Sequence, residues 1–163
     1  MRVLLRVVLL GSLAGCGFHL RGAAVDANVA SAYVRSTPNV TIASELNRQL
    51  SQSGVKLLDS TTDAAVVIDL LDEQQNNRTV SYTDRATTAE SELSLQVRFK
   101  IVGTGGKLLI EDRLARATRT YLVDTNNLVG SNQQAQLLTG ELTTDVAQQI
   151  VRSLSASTRT KPL

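Results

Sequence analysis

An α+β fold, with two amphipathic helices packed on one face of a roughly four-stranded mixed or antiparallel sheet, is predicted by three stretches of this 163-residue chain. Ile42, Leu46 and Leu50 recur four residues apart, and Ala135, Leu138, Leu142, Val146, Ile150 and Leu154 recur at three- or four-residue spacing, so each set marks one apolar helix face. Between them, Leu93 to Ile101 alternates apolar and polar residues without a break, the period of a strand with one face in a core.

The chain opens with basic Arg2 and Arg6 around a short apolar run that continues to Ala14, the order of a secretory signal. The run is shorter than the roughly 20 apolar residues a spanning helix needs. Leu13-Ala14-Gly15 stands directly before Cys16, the only cysteine of the chain, and resembles the lipobox of bacterial lipoproteins. That resemblance implies cleavage before Cys16, lipidation of its thiol and acylation of the new amine. Each acyl methylene buried in a membrane contributes about 0.8 kcal/mol, and two or more chains make a stable anchor. Gly17, where an aspartate would signal retention, resembles the pattern of lipoproteins released to the outer membrane. The expected organisation is a signal peptide at 1–15, an anchor and tether at 16–31, one α+β domain at 32–155 and a disordered tail at 156–163.

Within the domain, Ala32 to Arg35 is a short strand candidate. Thr37-Pro38 has the form of a helix start, with Thr37 as N-cap and Pro38 at the first helical position, and Ser53-Gly54 supplies the stop. Val55 to Leu58 is a brief extended piece. Ala64 to Leu71, short and rich in valine and isoleucine, has the composition of a strand covered on both faces. From Asp72 to Asn77 the chain is polar and suits a bulge or turn, and alternation resumes from Arg78 to Thr83. Thr104-Gly105-Gly106-Lys107 is a hairpin signal after the alternating strand, and poor alternation around Asp112 to Ala115 marks a bulge in the return strand. Ser131 with Gln134 fits a capping box at the start of the long second helix. The opposite face of that helix, with Thr139, Glu141, Thr143, Asp145, Gln148, Gln149 and Arg152, suits water or a wet protein cavity.

Composition narrows the function. The chain has 17 basic and 15 acidic residues; removing Arg2 and Arg6 with the signal leaves 15 against 15, so no electrostatic argument for nucleic acid survives. Once Cys16 is modified no thiol remains for a disulfide, and with aromatics at 3% stability rests on aliphatic packing. The sole histidine, His19, lies beside the anchor, which argues against a zinc site of the usual ligand types; no cofactor is expected. No nucleophile-elbow or phosphate-loop motif occurs. Asp72-Glu73 and Glu111-Asp112 are adjacent carboxylates, which on a strand point to opposite faces and are expected to be solvated. The basic run Arg98, Lys100, Lys107, Arg113, Arg116 and Arg119 is either a solvated strand face or a surface for phosphorylated lipid or an acidic partner. A binding or structural protein, not an enzyme, is expected.

Gly15-Cys16-Gly17-Phe18-His19-Leu20-Arg21-Gly22 resembles the opening signature of the lipopolysaccharide-assembly lipoproteins, the LptE family. Arg48-Gln49-Leu50 running to Gly54-Val55-Lys56-Leu57-Leu58, the alternating strand from Glu90, and Arg116 with Arg119-Thr120-Tyr121 are supporting matches. The resemblance implies a plug standing inside the outer-membrane β-barrel LptD, anchored through Cys16 on the periplasmic side, assisting barrel assembly and binding lipopolysaccharide. It implies lipopolysaccharide contacts through basic side chains near strand ends, for which Arg85 is the nearest positional match and Arg78 the second. The rival reading is a lipid-anchored auxiliary subunit of a periplasmic transporter; an enzyme inhibitor or cell-wall binder is a third.

Overall fold

A computed structural model describes residues 29–82 and 88–160. It contains β1 (Ser31–Ser36), α1 (Ala43–Gln52), β2 (Lys56–Leu57), β3 (Val66–Tyr82), β4 (Thr88–Gly103), β5 (Leu108–Leu122) and α2 (Leu128–Thr160). The strands form one mixed sheet in the order β2-β1-β3-β4-β5, with β1 parallel to both β2 and β3 and the other neighbours antiparallel. The α+β architecture is the expected one. The sheet has five strands rather than four, because the extended piece after α1 adds the two-residue β2.

Both helices cover the same sheet face. Ile42, Leu46 and Leu50 from the first helical segment and Leu142, Val146, Ile150 and Leu154 from α2 are fully enclosed. They meet Val66, Ile68 and Leu70 of β3 and the alternating set Leu93, Leu95, Val97, Phe99 and Ile101 of β4. The strand period thus puts every second β4 side chain into the core and leaves Glu92, Gln96, Arg98 and Lys100 on the outer face. At about 1.5 Å per residue the 33 residues of α2 span roughly 50 Å, close to the length of β5 along which it packs.

Element ends differ from expectation in four places, each for a physical reason. Thr37 and Pro38 do not start α1. They open a β-turn closed by the Val40 N–H donating to the Thr37 carbonyl at 3.1 Å, with Pro38 at the second position, where its fixed φ suits a turn equally well. The helix begins at Ala43, and its cap comes from another element: the Glu73 carboxylate on β3 accepts from Thr41 N–H at 2.7 Å, Ile42 N–H at 3.0 Å and the Thr41 hydroxyl at 2.6 Å. Ser131 is not an N-cap either. It lies inside α2, buried, with its hydroxyl oxygen accepting from Asp124 N–H at 3.0 Å, while Asn127 caps the helix by accepting from Gly130 N–H at 3.0 Å. At the C-terminal end, α2 continues to Thr160 across the stretch expected to be a disordered tail from Ala156, because Ser155 and Thr158 still face the packed side and bond back to helix carbonyls. The tether expected through Ser31 likewise ends earlier, since Val29 is in the core and β1 begins at Ser31.

Other signals hold in place. Gly54, at φ 80°, ends α1 with the paired bonds of a Schellman motif, Gly54 N–H to Ser51 and Val55 N–H to Leu50, both 3.1 Å. Gly105 and Gly106, also at positive φ, turn β4 into β5. Register shifts on β5 between the partners of Phe99 and Ile101 place its irregularity at Glu111-Asp112, beside the expected site. The polar stretch Asp72 to Asn77 does not turn; β3 runs straight through it after a bulge at Leu71.

Candidate functional site

The helices cover only part of the sheet. Beyond Leu70, β3 continues as Asp72 to Tyr82, paired among the described residues to β4 alone, and from Gln74 to Arg78 its side chains are exposed. This far half of the sheet carries the sequence-predicted Arg78. Strand pairing sets Arg78 opposite Glu92 of β4 on the outer face, and its Nε donates to Glu92 Oε1 at 2.7 Å. The hydrogen bond to Arg78 holds the Glu92 carboxyl below its ordinary range, and Arg78 is raised in turn by the same bond. Arg85 and the lipidation candidate Cys16 lie outside the described residues.

The sign of the pH dependence follows. A lowered folded-state pKa means the Arg78–Glu92 pair is fully formed at neutral pH and is lost as pH falls through the folded value. Glu92 should therefore titrate below an ordinary glutamate in a carbon-NMR titration of its side-chain carboxyl, and Arg78→Ala should raise that midpoint. A Glu92 midpoint at the ordinary value, unmoved by the substitution, refutes the pairing.

The basic run does not form one surface. Arg98 and Lys100 lie on the outer face, Arg98 at 3.9 Å from Asp112 and Lys100 at 3.4 Å from Asp69. Asp69 is buried at 6% exposure and meets Arg35 at 3.3 Å on its other oxygen, so a buried carboxylate is neutralised by two half-exposed cations beside a recess of about 200 Å³. Arg119 points to the helix side, where it pairs with Asp145 and, at 3.4 Å, with Glu141 of α2. Its pKa is raised, chiefly by the hydrogen bond to Asp145. Alternation explains the split: successive strand residues face opposite ways, so a run of like charges in sequence is divided between two faces.

Several α2 residues expected to face water or a cavity instead tie the helix to β5. Glu141 and Asp145 take Arg119, and Gln149 brackets the β5 edge, accepting from Arg116 N–H at 3.2 Å and donating to the Arg116 carbonyl at 2.9 Å. A glutamine amide carries a donor and an acceptor side by side and so imitates a neighbouring strand. Thr139 and Thr143 bond to carbonyls one turn back in their own helix. The carboxylate pair Asp72-Glu73 does divide between faces: Asp72 accepts from Gln74 at 3.0 Å, and Glu73 is the α1 cap. No sequence signal marks these long-range partners, because each depends on the packing of separate elements.

Among the described residues no group of three His, Cys, Asp or Glu side chains is placed to hold a metal ion, and no helix is long and apolar enough to cross a membrane. What the far half of the sheet offers is a polar, hydrogen-bonding surface: Gln96 donates to Gln74 at 2.6 Å and Asn77 to the Tyr121 hydroxyl at 3.2 Å. Apolar side chains stand exposed at the same end, with Tyr82 at 66% and Leu122 at 67%.

With that geometry, comparison with known proteins is informative. Residues 29–154 match the family model described as LptE, lipopolysaccharide-assembly. The chain is 27% identical over 143 residues to the LPS-assembly lipoprotein LptE of Photorhabdus laumondii, covering 86% of this chain and 78% of that one. It is 26% identical over 144 residues to the protein of the same name from Yersinia pestis, covering 86% and 69%. The fold is similar to the solution structure of an uncharacterized lipoprotein B from Nitrosomonas europaea, with a TM-score of 0.73 at 24% identity over 88% of this chain and 93% of that one. A minor lipoprotein from Acinetobacter baumannii gives a TM-score of 0.64 at 27% identity over 77% and 90%. The match extends from Val29 at the start of the core to Leu154 near its end, and the chain accordingly belongs to the LptE family of lipopolysaccharide-assembly proteins.

Proposed function

We propose that this protein is a non-enzymatic outer-membrane lipoprotein, anchored through acyl chains on Cys16, that plugs and helps assemble the LptD barrel and binds lipopolysaccharide on its way to the outer leaflet. The observation that carries this reading is the family match over residues 29–154. The build supports it. A plug must be stiff and polar-surfaced, and here both helices are locked to one sheet whose outer face is laced with ion pairs and amide bonds. Elements about 50 Å long exceed the roughly 30 Å hydrocarbon thickness, so such a body fills a barrel lumen across the membrane. A wide barrel left empty is an aqueous hole.

In this role Arg85 and Arg78 are the proposed lipopolysaccharide contacts, since a guanidinium holds a phosphate with two directed hydrogen bonds. Affinity capture of the tagged lipoprotein from detergent-solubilised membranes tests the partner: an outer-membrane barrel in near-equal amount is expected, and an inner-membrane transporter in its place overturns the reading. Arg85→Glu should weaken lipopolysaccharide binding in vitro by about tenfold, the equivalent of one charge-assisted contact, with the thermal transition unchanged. Unaltered binding removes Arg85 from the contact set.

A further inference from the structure

Resting on the reading of this chain as a plug, we propose that the recess beside Arg35, Asp69 and Lys100 is a docking site for an acidic peptide segment of the barrel. Strand register builds the site. Parallel pairing sets Arg35 of β1 against Asp69 of β3, and antiparallel pairing sets Asp69 against Lys100 of β4, so the three residues form one row on the outer sheet face. β1 then ends at Ser36, and β3 shifts register between Leu70 and Asp72. At this break the surface holds the recess of about 200 Å³, walled by Ser36, Thr37 and Leu71 beside the row itself.

The row states what fits. Asp69 is 6% exposed, and its Oδ1 has no hydrogen-bond partner among the described residues. Arg35 Nε stands 3.3 Å from that oxygen and Lys100 Nζ 3.4 Å from Oδ2, close enough to balance the charge of the carboxylate. A buried oxygen left without a hydrogen bond is costly, so the recess calls for an N–H or O–H donor. The two cations, about half exposed, keep donors beyond those facing Asp69, since a guanidinium carries five N–H groups and an ammonium three. They call for an anionic oxygen. Two cations and one carboxylate leave one positive charge, which a single carboxylate cancels. An aspartate or glutamate in a peptide meets both demands, its main-chain N–H serving Asp69 and its side chain serving Arg35 and Lys100. A dianionic phosphate group of a lipid has acceptors only and sets a double negative charge against the buried Asp69. Arg78, the proposed lipopolysaccharide contact, lies farther along β3, roughly 30 Å away at about 3.3 Å per residue, so the two sites are separate.

The test uses the full lipoprotein in membranes, with the photo-reactive p-benzoylphenylalanine in place of the exposed Ser36. Irradiation is expected to join the chain to the barrel, and mass spectrometry of the joined peptides to place the link beside a barrel Asp or Glu. Arg35→Gln, Asp69→Asn and Lys100→Gln combined remove the cations and the buried charge together, so no ion is left unpaired. This variant should keep its thermal transition and lose about tenfold in cross-link yield, the equivalent of one charge-assisted contact. Replacing the mapped barrel carboxylate by its amide should lower the yield equally, with the lipoprotein itself unaltered. A barrel that copurifies but gives no link from position 36, a link to lipopolysaccharide or to a barrel segment without a carboxylate, or a yield unmoved by both replacements overturns the docking site and leaves the plug reading standing. A parent lipoprotein that captures no barrel at all overturns both.

Discussion

Phe99→Ala should lower the stability of the domain by about 3–5 kcal/mol, a large share of the roughly 5–15 kcal/mol that holds a single domain folded. Phe99 is fully buried on the core face of β4, opposite Leu70 on β3, beneath the helices. The chain has two phenylalanines and no tryptophan, and Phe99 is the largest enclosed side chain among the described residues, so its neighbours are aliphatic groups already packed against one another. Truncation removes its transfer free energy and leaves a cavity they fill incompletely. Urea denaturation should show a midpoint shifted far down with an unchanged slope. Leu114→Ala, on the opposite face at 55% exposure, should stay within about 0.5 kcal/mol of the parent. Equal losses from the two substitutions refute the assigned core face.

Glu73→Ala should cost about 2 kcal/mol through a different mechanism. One carboxylate satisfies two backbone N–H groups and one hydroxyl at the start of α1. It stands at the positive end of the helix dipole, and loss of a helix cap typically costs about 0.5–2 kcal/mol. Because the cap is long-range, the effect is also topological: Glu73 fastens the loop between β1 and α1 to the strand that carries Arg78. Hydrogen exchange of the Thr41 and Ile42 amides should accelerate together in Glu73→Ala, while that of the β4 amides should change only with global stability. Glu73→Gln should lose less, since its amide oxygen still accepts. Protection at Thr41 and Ile42 that survives Glu73→Ala sinks the assignment.

Periodic signals were legible wherever burial follows from local repetition. Leu93 to Ile101 alternates because one strand face meets the core, and Leu142 to Leu154 repeats at helical spacing for the same reason, so both elements and the face they share could be read directly. Gly54 and Gly105-Gly106 were legible because positive φ is a local demand. Caps misled where a side chain had a better partner outside the local window. Thr37-Pro38 satisfies the rules for a helix start and for a β-turn alike, and Glu73, thirty-odd residues away, decides between them. Ser131 satisfies the capping-box pattern, yet burial against the Asp124 backbone gives it another use. The candidate site is legible to the same extent. Arg78 could be named from its position, but its pairing with Glu92 depends on strand register, and the basic run Arg98 to Arg119 looked like one patch until alternation divided it.

By itself the sequence determined the fold class, the core faces of β4 and both helices, the turn glycines and, through residues 15 to 22, the resemblance to lipopolysaccharide-assembly lipoproteins. These depend on interactions within a few residues or on a periodic pattern. Only the tertiary structure decided that Glu73 caps α1, that Gln149 and the Arg119 ion pairs bind α2 to the β5 edge, and that, among the described residues, β3 beyond Leu70 pairs with β4 alone. Each of those joins residues that are distant in the chain and have no preference for one another until the sheet order and register bring them together.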